Sequence, residues 1–282
     1  MKQNRAFSFI AVALVYILAA AVVGIVTYLF LPFSAWLNLL IADTVATIFT
    51  FIFSLIFKNA SVYDPYWSVQ PIAIGVAYVI AFGGTISSII LLTVVCLWGI
   101  RLTANWAYTF KNLTHQDWRY TMLCQKTGKL YPFVNLFGIH LVPTLVVYAC
   151  ILPLVAVILY QPDFNFLMLL GVVFSVGAFT LQGIADVQMH KFRKRKTGGF
   201  IRDGLWKYSR HPNYLGEICM WWGVGLSAVI LMPTKWYLLL GAVLNTLLFL
   251  CISIPMADKR QSKKDGFAEY KKQTRMLLPI KK

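Results

Sequence analysis

The sequence predicts an all-α integral membrane protein, a polytopic bundle of about eight transmembrane helices (seven to nine) with both termini in the cytoplasm. The first observation is composition, because 59% of the 282 residues are hydrophobic and the mean hydropathy is +0.68, whereas soluble domains are roughly 45–50% apolar. The second is that the apolar residues form runs near the ~20 residues with which a helix crosses a bilayer. The third is that basic residues gather between alternate runs.

Eight apolar runs give this prediction its detail. They cover residues 7–31, 35–57, 67–83, 85–108, 132–160, 166–189, 213–231 and 236–256. Inside hydrocarbon each backbone amide needs a partner within its own segment, and the runs lack the alternating pattern of barrel strands, so helices are expected. The first run exceeds the about 7–15 residues of a signal-peptide core, and we interpret it as a span.

The net charge of +16 comes from segments that flank the predicted spans. Once the eight runs are placed, Lys235 is the one basic residue of the 26 on the far side. By the positive-inside rule the basic side is cytoplasmic, at a bacterial inner membrane or at the endoplasmic reticulum of a eukaryote. A nucleic-acid partner would need a soluble basic face, so we do not infer one.

We treat residues 1–282 as a single membrane domain. Two N-terminal spans (1–57) precede a region, 58–282, that ends in a basic cytoplasmic tail, 257–282. The longer connections also lie on the predicted cytoplasmic side, so a site for a large polar ligand is expected there. The five cysteines form no CxxC pair, and neither a disulfide nor a metal site is expected.

The segment from Asp203 to Glu217 holds the most specific pattern, Asp-Gly-Leu-Trp-Lys-Tyr-Ser-Arg-His-Pro-Asn-Tyr-Leu-Gly-Glu. Pro212 suits the first turn of the seventh span, and Asn213, Tyr214 and Glu217 follow at helical spacing on one face. An ionisable group inside a span is a functional candidate because leaving it unpaired is costly. Tyr214 and Glu217 are therefore candidate catalytic residues, although interfacial anchoring would also explain the aromatic residues.

This segment resembles the signature of the steroid 5-alpha-reductases and sterol reductases, which carry a Pro-Asn-Tyr-Leu-Gly-Glu/Asp stretch. It is similar above all to uncharacterised bacterial membrane proteins classed with the steroid 5-alpha-reductase C-terminal domain. In those proteins the likeness extends to residues 59–67, 97–102, 185–188 and 266–270. The resemblance implies an enzyme that uses NADPH to reduce an activated C=C bond of a sterol-like or isoprenoid substrate.

The resemblance also implies a cofactor site, with the nicotinamide inside the bundle and the phosphates under the cytoplasmic loops. Together with the basic loops it assigns the cofactor to Asp186, His190, Arg193, Arg210, Asn213, Glu217, Asp258, Lys259, Arg260, Tyr270 and Arg275. No GxGxxG turn is present, so side chains would hold the phosphates. For the basic run 191–196, attraction to anionic lipid is an equally good interpretation.

Asp64 and Tyr66 open the third span and are the remaining catalytic candidates. An acid and a phenol at this depth could polarise a substrate carbonyl, although Pro65 and Trp67 also make an ordinary helix start. The Gln-Glu pair that the steroid reductases use has no clear copy here, which puts a steroid substrate in doubt. Asp43, in the second span, is either a hydrogen-bonded acid or a substrate contact.

Two other classes compete with the reductase. Isoprenylcysteine and phospholipid methyltransferases bind S-adenosylmethionine and share an Arg-His-Pro-x-Tyr-x-Gly segment, present here at 210–216. The reductases place an acid after that glycine and the methyltransferases usually do not, so Glu217 favours reduction. A lipid-binding or transport protein would show an inverted repeat or paired broken spans, and we see neither. The expected partners are a lipophilic substrate from the bilayer and membrane lipids, with no protein partner inferred.

Overall fold

The structure, a computed structural model, describes residues 4–30, 34–196 and 198–279, with the backbone alone at 26–30. Over these ranges the chain is helical without any β-strand, and an isolated bridge joins Ser209 to Arg275. The predicted all-α class is confirmed. The predicted end of the first run at residue 31 and the last residues of the tail, 280–282, lie outside the described residues.

Eight helical segments in the described ranges are long and apolar enough to cross a membrane, as predicted. Numbered along the chain, spans 1 to 8 are Arg5–Ile25, Ala35–Phe57, Ala60–Phe82, Ile86–Thr109, Trp118–Tyr160, Met168–Arg195, Pro212–Leu231 and Pro233–Gln261. The cytoplasmic position of the termini stays a prediction.

The spans are built from α-helices interrupted by tighter and wider turns. The α-helices are Arg5–Phe30, Ala35–Phe57, Tyr66–Phe82, Ile86–Thr109, Trp118–Thr127, Tyr131–Phe133, Val142–Tyr160, Met168–Arg195, Pro212–Leu231, Leu240–Leu248, Ile254–Gln261 and Phe267–Gln273. The 3₁₀ turns are Ala60–Tyr63, Gly128–Leu130, Gly204–Lys207 and Pro233–Leu239, and the π-helical turns are Val134–Leu141 and Phe249–Ser253. Span 5 begins well before the predicted residue 132 because a polar helix, capped by the Asp117 side chain on the amide of Arg119, precedes the apolar run.

The chain divides into two compact units. The first unit contains the chain up to Pro71 together with Leu102–Tyr148, and the second contains Ile72–Arg101 together with the chain from Ala149 onward. Spans 1 and 2 therefore belong to the first unit and spans 6 to 8 to the second, while spans 3, 4 and 5 each contribute to both.

In the second unit, spans 6 and 7 pack through small residues. A Cβ atom added to Gly171 would lie 2.5 Å from the carbonyl oxygen of Gly223, and one added to Gly223 would lie 2.5 Å from that of Gly171. Ser175 and Ser227 stand beside these glycines and donate hydrogen bonds to carbonyl oxygens of the opposite span. Small residues at such a contact let two backbones approach closely, and this fixes the register of the two spans.

In the first unit, hydrogen bonds and aromatic packing join span 1 to the segments around it. Tyr16 donates to the carbonyl oxygen of Val62 at 2.8 Å, and Arg5 donates to that of Ala107 at 2.9 Å. The ring of Phe9 packs edge-on against Trp106. These contacts hold the beginning of span 3 and the end of span 4 against span 1.

Candidate functional site

Glu217 lies buried in the second unit at a junction of three spans. Its Oε2 accepts hydrogen bonds from Trp98 Nε1 at 2.9 Å and from Gln182 Nε2 at 2.8 Å, and its Oε1 accepts one from Trp221 Nε1 at 3.0 Å. These three donors come from spans 4, 6 and 7. The carboxylate therefore joins the three spans, while the catalytic and cofactor roles expected for it stay predictions.

The local sequence explains why Glu217 meets Gln182. Pro212 begins span 7, and Gly216 then lies so close to span 6 that an added Cβ would be 2.5 Å from the carbonyl oxygen of Ala178. The absence of a side chain at Gly216 lets the following glutamate reach the amide of the facing helix. Sequence reasoning did not identify Trp98 and Gln182, because they are 119 and 35 residues distant along the chain.

Asp186, Asn213 and Arg101 form a second polar group in this unit. Asp186 Oδ2 pairs with Arg101 Nη1 at 2.8 Å, and Asp186 Oδ1 accepts from Asn213 Nδ2 at 3.4 Å. The structure thus brings together two of the predicted cofactor residues, Asp186 and Asn213, and adds Arg101. Half-buried His190 lies one turn after Asp186 on span 6.

The ring of Tyr214 contacts other aromatic rings, and its expected place in one site with Asn213 and Glu217 stays a prediction. Its ring stacks on His211 with centroids 5.2 Å apart and packs against Phe249 at 4.9 Å.

Arg210, Asp258, Tyr270 and Arg275 meet where the tail folds back on the segment before span 7. Asp258 accepts from Arg210 Nη2 at 3.1 Å and from His211 Nε2 at 2.9 Å, and all three side chains are buried. The amide of Arg210 donates to the carbonyl oxygen of Arg275 at 2.9 Å. Tyr270 donates to the carbonyl oxygen of Trp206, and burial raises the pKa of this phenol to about 12. These contacts form a clamp that holds the tail in place.

A pocket of about 300 Å³ opens between the basic end of span 6 and the tail. Its cationic lining residues are Arg193, Lys196, Arg260 and Lys264, and none of its described lining residues is acidic. Lys264 Nζ donates to the carbonyl oxygen of Gly199 at 2.5 Å. Burial, together with the charges of Arg260 and Arg193, lowers the pKa of Lys264. We call these four side chains the cation pocket.

The lining of the cation pocket includes two of the basic residues that the sequence assigned to the cofactor. Arg193 and Arg260 line it, whereas Lys259 and Arg275 are exposed residues outside its lining. Sequence reasoning missed Lys264, whose signal was its place in the basic tail a few residues after Arg260. Because the helix ends at Gln261, helical spacing does not predict that Lys264 turns back toward span 6.

The first unit contains a buried acid of its own, Asp43. Its Oδ1 accepts from the Tyr66 hydroxyl at 2.7 Å and its Oδ2 accepts from Gln70 Nε2 at 2.7 Å. The network continues through Thr47, whose hydroxyl lies 3.0 Å from that of Thr144. Asp43 is thus a hydrogen-bonded acid that contacts a predicted catalytic tyrosine.

The hydroxyl network ends at a buried histidine. The Tyr63 hydroxyl lies 2.8 Å from that of Thr144, and the Tyr63 ring packs against His140 with centroids 4.6 Å apart. His140 Nδ1 donates to the carbonyl oxygen of Asn135 at 2.9 Å. Its Nε2 is buried without a hydrogen-bond partner among the described residues, which is rare for a nitrogen inside a protein.

Asp64 does not pair with Tyr66, although the two are close in sequence. Its Oδ1 accepts from the Tyr120 hydroxyl at 2.7 Å, in a region where Asn59 donates to the carbonyl oxygens of Leu113 and His115. Positions two apart at a helix start face different directions. The hydrogen bond of Asp64 joins the beginning of span 3 to the beginning of span 5.

No group of three or more histidine, cysteine, aspartate or glutamate residues in the described part of the chain could hold a metal ion.

The fold and these polar groups define the class as a multi-pass helical membrane protein with buried polar sites. The chain belongs to the family described as "Protein of unknown function (DUF1295)", whose model matches residues 50–274. That family lies in the membrane superfamily that includes proteins like the steroid 5-alpha-reductases and the isoprenylcysteine methyltransferases.

Two curated relatives resemble parts of the chain. Methanethiol S-methyltransferase 1 of Bradyrhizobium diazoefficiens is 31% identical over 107 residues, which are 38% of this chain and 35% of the relative. An uncharacterized protein of Schizosaccharomyces pombe is 26% identical over 194 residues, which are 58% of this chain and 56% of the relative. The matches thus span about a third and just over half of those relatives. No solved structure matches the chain.

Proposed function

We propose that this protein is a membrane reductase that binds NADPH in the second unit, along one face of span 6. The substrate would be a lipophilic molecule, sterol-like or isoprenoid, with a C=C bond conjugated to a carbonyl group. NADPH would supply the hydride, and the protein would orient the reactants and move the proton.

The observation that supports this proposal most is the cation pocket. Four cationic side chains, Arg193, Lys196, Arg260 and Lys264, line it without an acidic residue among its described lining. A dinucleotide with a 2′-phosphate brings roughly three to four negative charges, which arginine and lysine bind through charge-assisted hydrogen bonds. The charge of the pocket therefore favours a ligand with several phosphate groups.

The proposed site extends along span 6, and the rise of the helix gives an estimate of its length. Gln182, Asp186 and Arg193 lie on one face of its helix because their spacings are near multiples of a helical turn. At 1.5 Å per residue, Arg193 is about 16 Å beyond Gln182 along the axis. A ligand with an amide at one end and a phosphate at the other fits this separation, so we assign the nicotinamide to the Gln182 and Asn213 end.

Within the first unit, Tyr66 is the predicted catalytic residue whose neighbours suit a proton step. Its hydroxyl lies 2.7 Å from Asp43 Oδ1. With Asp43 in its protonated form, the phenol would give its proton to the substrate carbonyl oxygen and take one from the Asp43 carboxyl group, which solvent would then re-protonate. This pair would stabilise the negative charge that develops on the carbonyl oxygen. Asp64, the other catalytic candidate of this segment, accepts from Tyr120 instead, and its catalytic role stays a prediction.

A second candidate function is S-adenosylmethionine-dependent methyl transfer. The name of the Bradyrhizobium relative supports it, since that protein is a methyltransferase and is 31% identical over the matched segment. Against it stands the charge of the cation pocket. S-adenosylmethionine carries a sulfonium, an ammonium and one carboxylate, so its net positive charge is repelled by four cations.

Binding titrations of the purified protein in detergent separate the two candidates. We expect NADPH to bind, and NADH to bind at least roughly tenfold more weakly because it lacks the 2′-phosphate. Arg260→Ala and Lys264→Ala should each weaken the binding of NADPH and abolish the preference of the protein for NADPH over NADH. Lys259→Ala is the matched control, since Lys259 is an exposed cation on the same helix outside the pocket lining. Binding of S-adenosylmethionine without NADPH would overturn the reductase proposal.

A further inference from the structure

Arg101 lies near the end of span 4, and one edge of its guanidinium group makes no hydrogen bond to any described residue. Its Nη1 pairs with Asp186 Oδ2 at 2.8 Å. Its Nε and Nη2 are buried and have no hydrogen-bond partner among the described residues. Buried polar atoms are almost always paired, and an unpaired charged donor is costlier than a neutral one. The free edge therefore indicates an acceptor from outside the chain.

The Nε–Nη2 edge has a specific shape. Its two N–H bonds are nearly parallel, so they match a group that offers two oxygen atoms in one plane, as carboxylates and phosphates do. A lysine at this position would bring the same charge without that geometry. The edge thus selects for an oxyanion rather than for a single carbonyl oxygen.

The surrounding residues fix the edge in place. Asp186 is itself held by Asn213 at 3.4 Å, so the salt bridge anchors Arg101 to span 6 and, through it, to span 7. Gly183 lies one turn before Asp186, and a Cβ atom added there would be 3.4 Å from Arg101 Cδ. The glycine leaves room for the arginine side chain beside span 6. A binding group held in place by such a salt bridge is preorganised, which reduces the entropy lost on binding.

We propose that the Nε–Nη2 edge of Arg101 binds a two-oxygen anionic group of the cosubstrate, namely the diphosphate of the dinucleotide. This inference rests on the proposed function. Asp186 lies seven residues before Arg193, about 10 Å along the axis of span 6, so Arg101 contacts the ligand between its amide end and its 2′-phosphate. The same chemistry would serve the carboxylate of S-adenosylmethionine, and the experiment separates the two sources.

The test compares Arg101→Lys with Arg195→Lys in the purified, full-length protein. Arg195 is an exposed arginine that pairs with Asp203, so its variant controls for the chemical change itself. We expect Arg101→Lys to weaken NADPH binding at least roughly tenfold and to leave the binding of 2′-AMP, which lacks the diphosphate, unchanged. Arg260→Ala should weaken both ligands. These two results together would assign the diphosphate to Arg101 and the 2′-phosphate to the cation pocket.

A second variant keeps the test decisive if Arg101→Lys does not fold. Asp186→Asn retains the arginine but removes the charge that anchors it, and we expect a smaller loss of NADPH affinity with 2′-AMP unaffected. NADPH binding that is unchanged in every folded Arg101 or Asp186 variant would overturn this inference and leave the reductase proposal standing.

The opposite outcome is equally distinguishable. If the wild-type protein binds S-adenosylmethionine and not NADPH, the reductase proposal fails. Arg101→Lys should then weaken the binding of S-adenosylmethionine but not that of its decarboxylated analogue. That result would leave Arg101 as the oxyanion-binding residue, with the carboxylate as its ligand. Equal weakening of both compounds, or wild-type protein that binds neither cosubstrate, would overturn the inference.

Discussion

Each unit of the protein buries a carboxylate inside a span, and the two carboxylates differ in the groups that hold them. Glu217, in the second unit, accepts three hydrogen bonds, all from N–H donors of two indoles and one amide. Asp43, in the first unit, accepts from the hydroxyl of Tyr66 and the amide of Gln70. Its network continues through two threonines and a second tyrosine.

We interpret this difference as separating an acid that joins the spans from one that, under the proposed function, would take part in proton transfer. An indole N–H only donates, so it stabilises a carboxylate without passing a proton to it or from it. A hydroxyl both donates and accepts, so the pair of Asp43 and Tyr66 can relay a proton. We therefore expect substitution of Asp43 to lower the turnover of the enzyme. Substitution of Glu217 should instead lower the free energy of unfolding.

The largest effect is expected at Tyr66. Tyr66→Phe removes the hydroxyl that we assign to the substrate carbonyl, and turnover of a conjugated carbonyl substrate should fall about 10²- to 10⁴-fold, while NADPH affinity stays the same. The turnover of Asp43→Asn should fall by a similar factor. Tyr148→Phe is the control, since it removes a hydroxyl of the first unit that donates to the carbonyl oxygen of Trp36. Wild-type turnover in Tyr66→Phe would refute the assignment of the proton step.

Glu217 should show the next largest effect, measured as stability. Glu217→Ala leaves two indole N–H groups and one amide buried without their acceptor, at about 1–3 kcal/mol each. We expect the free energy of unfolding to fall by about 3 kcal/mol or more, and the thermal midpoint in detergent to fall accordingly. Glu217→Gln, which keeps a carbonyl acceptor, should lie between this variant and the wild type. Glu269→Ala, at an exposed position on the tail, is the control and should leave the thermal midpoint unchanged. An unchanged thermal midpoint in Glu217→Ala would show that Glu217 does not stabilise the second unit.

The two acids also show what the sequence alone can supply. Hydrophobic run length predicts the eight spans, because crossing hydrocarbon imposes it on each helix separately. The spacing of Asn213 and Glu217 placed both near the beginning of span 7, but it does not predict their partners Trp98, Gln182 and Asp186, which lie on other spans. Tyr66 pairs with Asp43, 23 residues earlier, rather than with nearby Asp64. Such contacts depend on how helices pack, which local periodicity does not encode.

Within the second unit, a smaller effect tests how firmly the clamp holds the tail. Tyr270→Phe removes the hydrogen bond to the carbonyl oxygen of Trp206, for which we expect a loss of about 1 kcal/mol in tail docking. That corresponds to a roughly fivefold increase in trypsin cleavage after Lys271 or Lys272, if cleavage requires the tail to detach. Tyr208→Phe, at an exposed tyrosine of the neighbouring segment, is the control. Equal cleavage rates in the two variants would show that the phenol does not hold the tail.

The smallest expected effect is a pH dependence of cosubstrate binding in the second unit. Burial and the charges of Arg260 and Arg193 lower the pKa of Lys264, so this lysine loses its charge at a lower pH than an ordinary lysine, whose pKa is about 10.4. Affinity for NADPH should therefore fall as pH rises through the lowered pKa, whereas Lys264→Arg, which keeps its charge, should give a flatter profile. Phosphate groups complete their ionisation near pH 6, so between about pH 8 and pH 10 the ligand charge is constant. Titrations at fixed ionic strength over that interval isolate the lysine, and superimposable profiles for wild type and Lys264→Arg would mean that Lys264 does not contact the phosphate.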